Sequence, residues 1–171
     1  MKKTVLVFGL LSAALSAAMM CATVPFMHEI GYERGLVVGY TAILISLLFV
    51  YFGVRSYRDN VASGHITFGR AFSVGILITL ISCVGYVIAW EILYFNFLPG
   101  FMDNWTAHAV ETLRASGATE AAMAAKAAEM ADMKKLMDSP VMGPLMVFIE
   151  PFPVGLLVTL ISAAVLRKKA A

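Results

Sequence analysis

The sequence predicts an all-α integral membrane protein, a single domain over 1–171 in which four spanning helices form a bundle. Three observations predict it. Of the 171 residues 60% are hydrophobic and 14% charged, against about 45–50% apolar and about 25% charged in soluble domains. The apolar residues gather into four continuous stretches, about 4–26, 36–54, 71–98 and 141–166. Each supplies the ~20 helical residues that cross a ~30 Å hydrocarbon core, without the polar–apolar alternation of a barrel strand. Basic residues also collect at one set of span ends. Lys2, Lys3, Arg55, Arg58, Arg70, Arg167, Lys168 and Lys169 share a side, eight of the thirteen Lys and Arg. The positive-inside bias puts that side, with both termini, in the cytoplasm.

The first stretch has the outline of a leader, with Lys2 and Lys3 before an apolar run and small residues at Ser16-Ala17-Ala18. The run continues well past the 7–15 residues of a leader's apolar region, so a retained span is expected. Ser12/Ser16 with Ala13/Ala17, and Gly35 with Gly39, are small-residue patterns that let helices approach closely. Cys21 and Cys83 lie in separate stretches with no CxxC or Cys–His spacing. Both are expected to be buried small hydrophobes.

Between the second and third spans, Arg55-Ser56-Tyr57-Arg58-Asp59-Asn60 precedes Gly64-His65-Ile66-Thr67-Phe68-Gly69-Arg70. Arg55, Arg58 and Arg70 are candidates for holding an anionic lipid headgroup. The simpler expectation is a topology anchor in which Arg58 and Asp59 fix a tight turn.

The third and fourth spans each carry a carboxylate, Glu91 in Trp90-Glu91-Ile92 and Glu150 in Ile149-Glu150-Pro151. Counted from the span ends, both fall roughly 9–12 Å into the membrane at ~1.5 Å per residue. An ionised group there costs a few kcal/mol unless paired, hydrated or protonated. Pro151 and Pro153 remove two backbone donors, so a kink is expected beside Glu150. Glu91 and Glu150 are therefore the candidate ion or proton residues. Helix phase argues against a pore: Thr79, Cys83, Tyr86 and Trp90 share one stripe of the third span, with Glu91 about 120° round from it. Gly155, Thr159 and Ser162 lie on the side of the fourth span away from Glu150.

The long segment between spans three and four predicts a helical hairpin, about 103–139, on the outer side. Asp103 or Asn104 is the expected cap of its first helix, ending near Gly117, and Thr119 of an Ala-rich second helix that Pro140 stops. Met123, Met130 and Met137 recur every seven residues, with Glu129, Asp132 and Lys135 opposite. That stripe must be covered by lipid headgroups, by the first outer helix or by another subunit. Packing explains it better than copper binding.

Other chemistry is thinly represented. His28, Glu29 and Glu33, with His108 and Glu111, hold zinc- or manganese-type ligands. They lack HExxH or paired-His spacing, so an ordinary polar interface is expected, with no metal and no cofactor. There is no nucleotide-binding loop, no Ser–His–acid set, and no basic–aromatic run for nucleic acid. An enzyme is not expected. The first functional expectation is a structural or accessory membrane protein. It would be oligomeric or partnered through the Met123, Met130 and Met137 face. The second is a small proton or cation transporter using Glu91 and Glu150.

Several pieces stand in a recognisable order: Lys2-Lys3-Thr4-Val5, Tyr57-Arg58-Asp59-Asn60, Ile66-Thr67-Phe68-Gly69-Arg70-Ala71-Phe72, Tyr86-Val87-Ile88-Ala89-Trp90-Glu91-Ile92 and Pro153-Val154-Gly155-Leu156. With them the chain resembles the small bacterial multi-span proteins grouped as domain of unknown function 4199. The resemblance covers nearly the whole chain and implies a bacterial inner-membrane location. It implies no activity, and it adds weight to Glu91 and Arg58 as positions to mutate.

Overall fold

The computed structural model describes residues 1–26 and 31–168. Its helices are α1 (Lys2–Thr23, continued by a single 3-10 turn at Val24–Phe26), α2 (Tyr32–Asn60), α3 (Phe68–Phe97), α4 (Phe101–Ala115), α5 (Glu120–Met137), α6 (Met142–Ile149) and α7 (Phe152–Leu166). No strand occurs among the described residues; Ile66 and Lys168 form one isolated antiparallel bridge. Among the described residues, four helical segments are long and apolar enough to cross a membrane: Lys2–Phe26, Arg34–Asn60, Phe68–Phe97 and Met142–Leu166. The fourth is interrupted. α6 stops at Ile149 and α7 starts after Pro151, where the two proline rings remove donors and crowd the preceding turn. The expected kink is there.

The chain divides into two compact units, residues 1–90 with 147–171, and residues 91–146. In the first, α1 packs on α2 and α2 on α7, and α3 meets its neighbours through side chains. Lipid tails are as apolar as leucine, so helices in a bilayer associate through close fit and internal hydrogen bonds rather than through expulsion of water. The close fit comes from missing side chains. Ala13 occupies the space a Cβ on Gly85 would need, the Thr79 methyl lies against Gly155, and Gly9 faces Ile81. The outward faces remain apolar: Leu10, Leu48, Val84, Ile88, Leu157 and Ile161 are all exposed. Such a surface is stable only in a hydrocarbon solvent.

The end of this unit that carries Ile66 and Lys168 is closed by backbone. Ile66 and Lys168 exchange reciprocal N–H···O bonds of 2.9 Å. The turn after α2 lies at residues 61–67, beyond the Arg58–Asp59 pair expected to fix it. Ser63 and Gly64 take positive φ, and the Gly64 N–H reaches the Arg58 carbonyl at 2.9 Å. Arg58 and Asp59 instead sit in the last turn of α2 and bond each other. Cys83 is buried as expected, whereas Cys21 is exposed, because the polar face of α1 carries Ser12 and Ser16 inward and turns Cys21 out.

The second unit holds the end of α3, α4, α5 and the start of α6. Gly100, left-handed at φ 74°, starts α4. This corrects the expected cap: Asp103 is in the first turn, not at its head. There its charge complements the helix dipole and pairs with Lys134 of α5 at 2.7 Å. Thr119 does cap α5, its hydroxyl accepting the Ala122 N–H at 3.2 Å. Gly117 turns the chain between the helices with φ 78°. Met130 is buried and Met123 and Met137 half-buried, with α5 lying along α4. The first outer helix thus covers much of the methionine stripe. Lys126–Glu129 and Lys135–Asp132 ion pairs form within α5, with Glu129 and Asp132 turned away from the stripe.

Candidate functional site

Glu150 stands at the break between α6 and α7, and α3 supplies its partner. The Tyr86 hydroxyl donates to Glu150 Oε2 at 3.0 Å. Tyr86 belongs to the inward stripe of α3 with Thr79 and Cys83, both fully buried. The proline break lets Glu150 turn toward this stripe although Gly155, Thr159 and Ser162 of α7 face the interior. A phenol meeting a carboxylate offsets part of the desolvation such a carboxylate would otherwise carry. Glu150 remains exposed at the bundle's side.

A small cavity of ≈ 40 Å³ lies beside Tyr86, with Ser16, Thr23 and Gly39 in its wall. It has room for water and hydroxyls to hold it. Below it the interior is polar in two short clusters. Ser12 donates to the Ser46 carbonyl at 2.7 Å and bonds Ser82 at 2.8 Å, while Ser16 donates to the Ser12 carbonyl. Thr79 and Thr159 share a hydrogen bond of 2.9 Å, and the Thr79 hydroxyl also approaches the Gly155 carbonyl at 3.3 Å. Beyond these clusters the core is apolar: Val50, Val54, Ala71, Val74, Ile78 and Ala163.

The basic candidates share the terminal end. Arg58 makes a two-pronged pair with Asp59 at 2.6 and 3.2 Å, and Arg55 reaches the same carboxylate at 3.7 Å. Arg70 donates to the Tyr57 hydroxyl at 3.1 Å, its guanidinium 5.7 Å from the ring centre. One carboxylate thus serves two arginines, and the third rests on a neutral phenol. The end keeps a net positive charge suited to a polar membrane surface.

Glu91 is half-buried on α3 and accepts no hydrogen bond among the described residues. Of the metal-type residues, His28 and Glu29 lie outside the described residues, as does the side chain of Glu33. Glu111 pairs with Arg114 at 2.8 Å. The second unit has polar geometry that sequence reasoning passed over. Tyr94 donates to Asp138 at 2.7 Å, and the Lys134 ammonium holds both oxygens of Asp103 at 2.7 and 2.8 Å. The hydrogen bond that Lys134 donates to Asp103 raises its pKa above the ordinary lysine range. The Asp132 carboxylate does the same for Lys135.

No curated protein and no solved structure matches the chain. One family does, described as protein of unknown function DUF4199, and it matches residues 7–168. That stretch takes in the first candidate span from residue 7 onward, the other three spans and the segment between the third and fourth. The chain therefore belongs to the DUF4199 family of proteins of unknown function, built on four helices of membrane-spanning length.

Proposed function

We propose that this is a structural or accessory protein of the bacterial inner membrane, oligomeric in the bilayer, with both termini in the cytoplasm and no catalytic role. The observation that carries this reading is the dry core of the first unit. Val50, Val54, Ala71, Val74, Ile78 and Ala163 are each 0% exposed. An ion entering this layer would give up its hydration with nothing to replace it. The serine and threonine hydroxyls above the layer are spent on one another and on backbone carbonyls. The half-buried Met123 and Met137 edges of α5 supply apolar contact area for a partner.

A second reading, a small proton or cation transporter using Glu91 and Glu150, draws on the Tyr86–Glu150 bond and the adjoining cavity. Proton flux in liposomes separates the two. With a pH-sensitive dye inside, wild-type vesicles are expected to leak at the rate of protein-free vesicles, and Glu91→Gln and Glu150→Gln to change nothing. Flux that is well above the protein-free rate and falls in Glu150→Gln would overturn the structural reading.

A further inference from the structure

The second unit contains a groove whose chemistry the methionine stripe and the intramembrane acids leave unused. It lies between α4 and α5, has a volume of ≈ 330 Å³, and is lined among others by Asp103, Lys134, Lys135 and Asp138. A second pocket of ≈ 160 Å³ shares Lys134 and Asp138 with it and continues under Phe95, Leu98 and Phe101. The Lys134–Asp103 pair and the Asp138 carboxylate present both signs of charge here, while Lys135 at the edge is engaged by Asp132. A floor that presents both signs attracts neither a simple anion nor a simple cation strongly, and matches a ligand that carries both signs itself.

The groups keep unused bonding capacity. An ammonium has three donors, and Lys134 directs its contacts to the two Asp103 oxygens. Tyr94 occupies only Oδ1 of Asp138, leaving Oδ2 to accept from a ligand ammonium. Phe95 and Leu98 extend this floor at the end of α3, where the apolar span stops at Phe97. An amphiphile anchored in the bilayer would reach the groove there, its polar group on the charges and its glycerol end on the ledge.

We propose that this groove binds the headgroup of a zwitterionic phospholipid of the phosphoethanolamine type. Its phosphate lies by Lys134, its primary ammonium donates to Asp138 and Asp103, and its glycerol rests on Phe95, Leu98 and Phe101. The assignment needs the chain to be in a bilayer. It does not depend on whether the bundle is structural or transports ions, and proton flux has no bearing on it.

Native mass spectrometry of the purified full-length protein in detergent tests it. The added lipids are phosphatidylethanolamine, phosphatidylcholine and phosphatidylglycerol with identical acyl chains, together with the soluble headgroup glycerophosphoethanolamine. Phosphatidylethanolamine is expected to be retained about tenfold better than either other lipid, the size of one charge-assisted hydrogen bond. Asp138→Asn, which still accepts from Tyr94, should bring it down to the phosphatidylcholine level, and Lys134→Gln should lower retention of both lipids. Arg70→Gln, in the other unit, should leave it unchanged. Equal retention of phosphatidylcholine, whose trimethylammonium donates no hydrogen bond, would overturn the site, as would preference for phosphatidylglycerol. So would competition by glycerophosphoethanolamine as effective as the lipid itself. Unchanged binding in Asp138→Asn with native helicity would equally remove it.

Discussion

At the scale of single residues, this bundle is held by small groups. Thr79 and Thr159 are both fully buried and bond each other. In a membrane such a pair contributes about 0.6 kcal/mol on average and up to about 1.7. Thr→Val at either site keeps the volume but orphans the other hydroxyl, so each single variant is expected to lose about 1 kcal/mol. The double variant orphans nothing and should lose less than the sum. A double-mutant cycle on reversible unfolding in mixed micelles measures the coupling, and strict additivity would contradict the bond. Single residues were unevenly legible. The Thr79–Cys83–Tyr86 stripe could be read from helix phase, because 100° per residue fixes which side chains share a face. That Tyr86 meets Glu150 could not, since it depends on how far the proline break swings α6.

At the scale of elements, the helices and most of their ends follow from local chemistry. Thr119 caps α5 and Gly117 turns the chain, as their residue types require. The cap of α4 was misplaced because Asp103 is an equally good capping residue by composition. Its carboxylate is instead engaged by Lys134, thirty-one positions away in sequence. That cross-helix pair has a consequence for pH. Lys134 has a raised pKa in the folded state, so its contribution is fully present below the ordinary lysine value of 10.5 and is lost as pH rises through the higher folded value. The wild-type unfolding midpoint, compared with that of Lys134→Gln, is expected to keep a constant advantage from pH 7 to 10 and to lose it at more alkaline pH. An advantage that vanishes on acidification in the neutral range would show the pair to be assigned wrongly.

At the scale of the whole molecule, the number of crossings decides the topology. In the proposed topology four spans return the chain to the side where it began, and the arginines and lysines at that end are expected to select the cytoplasmic side. In a Cys21→Ser background, Ser116→Cys is expected to react with a membrane-impermeant thiol reagent in intact cells. A C-terminal tag should become accessible only after permeabilisation. Labelling of both from the same side would break the even number of crossings.

Composition and periodicity by themselves determined the all-α class, the four spans, the proline break and the hairpin, because each depends on residues near one another in sequence. They also made Glu91 and Glu150 visible as carboxylates in an apolar setting. Only the tertiary structure decided which of them has a partner, that the serines of three helices meet, and that Lys134, Asp103 and Asp138 line one groove. Those contacts join residues 31 to 80 positions apart. Helix phase orients a side chain about its own axis, whereas its neighbours depend on how the helices pack.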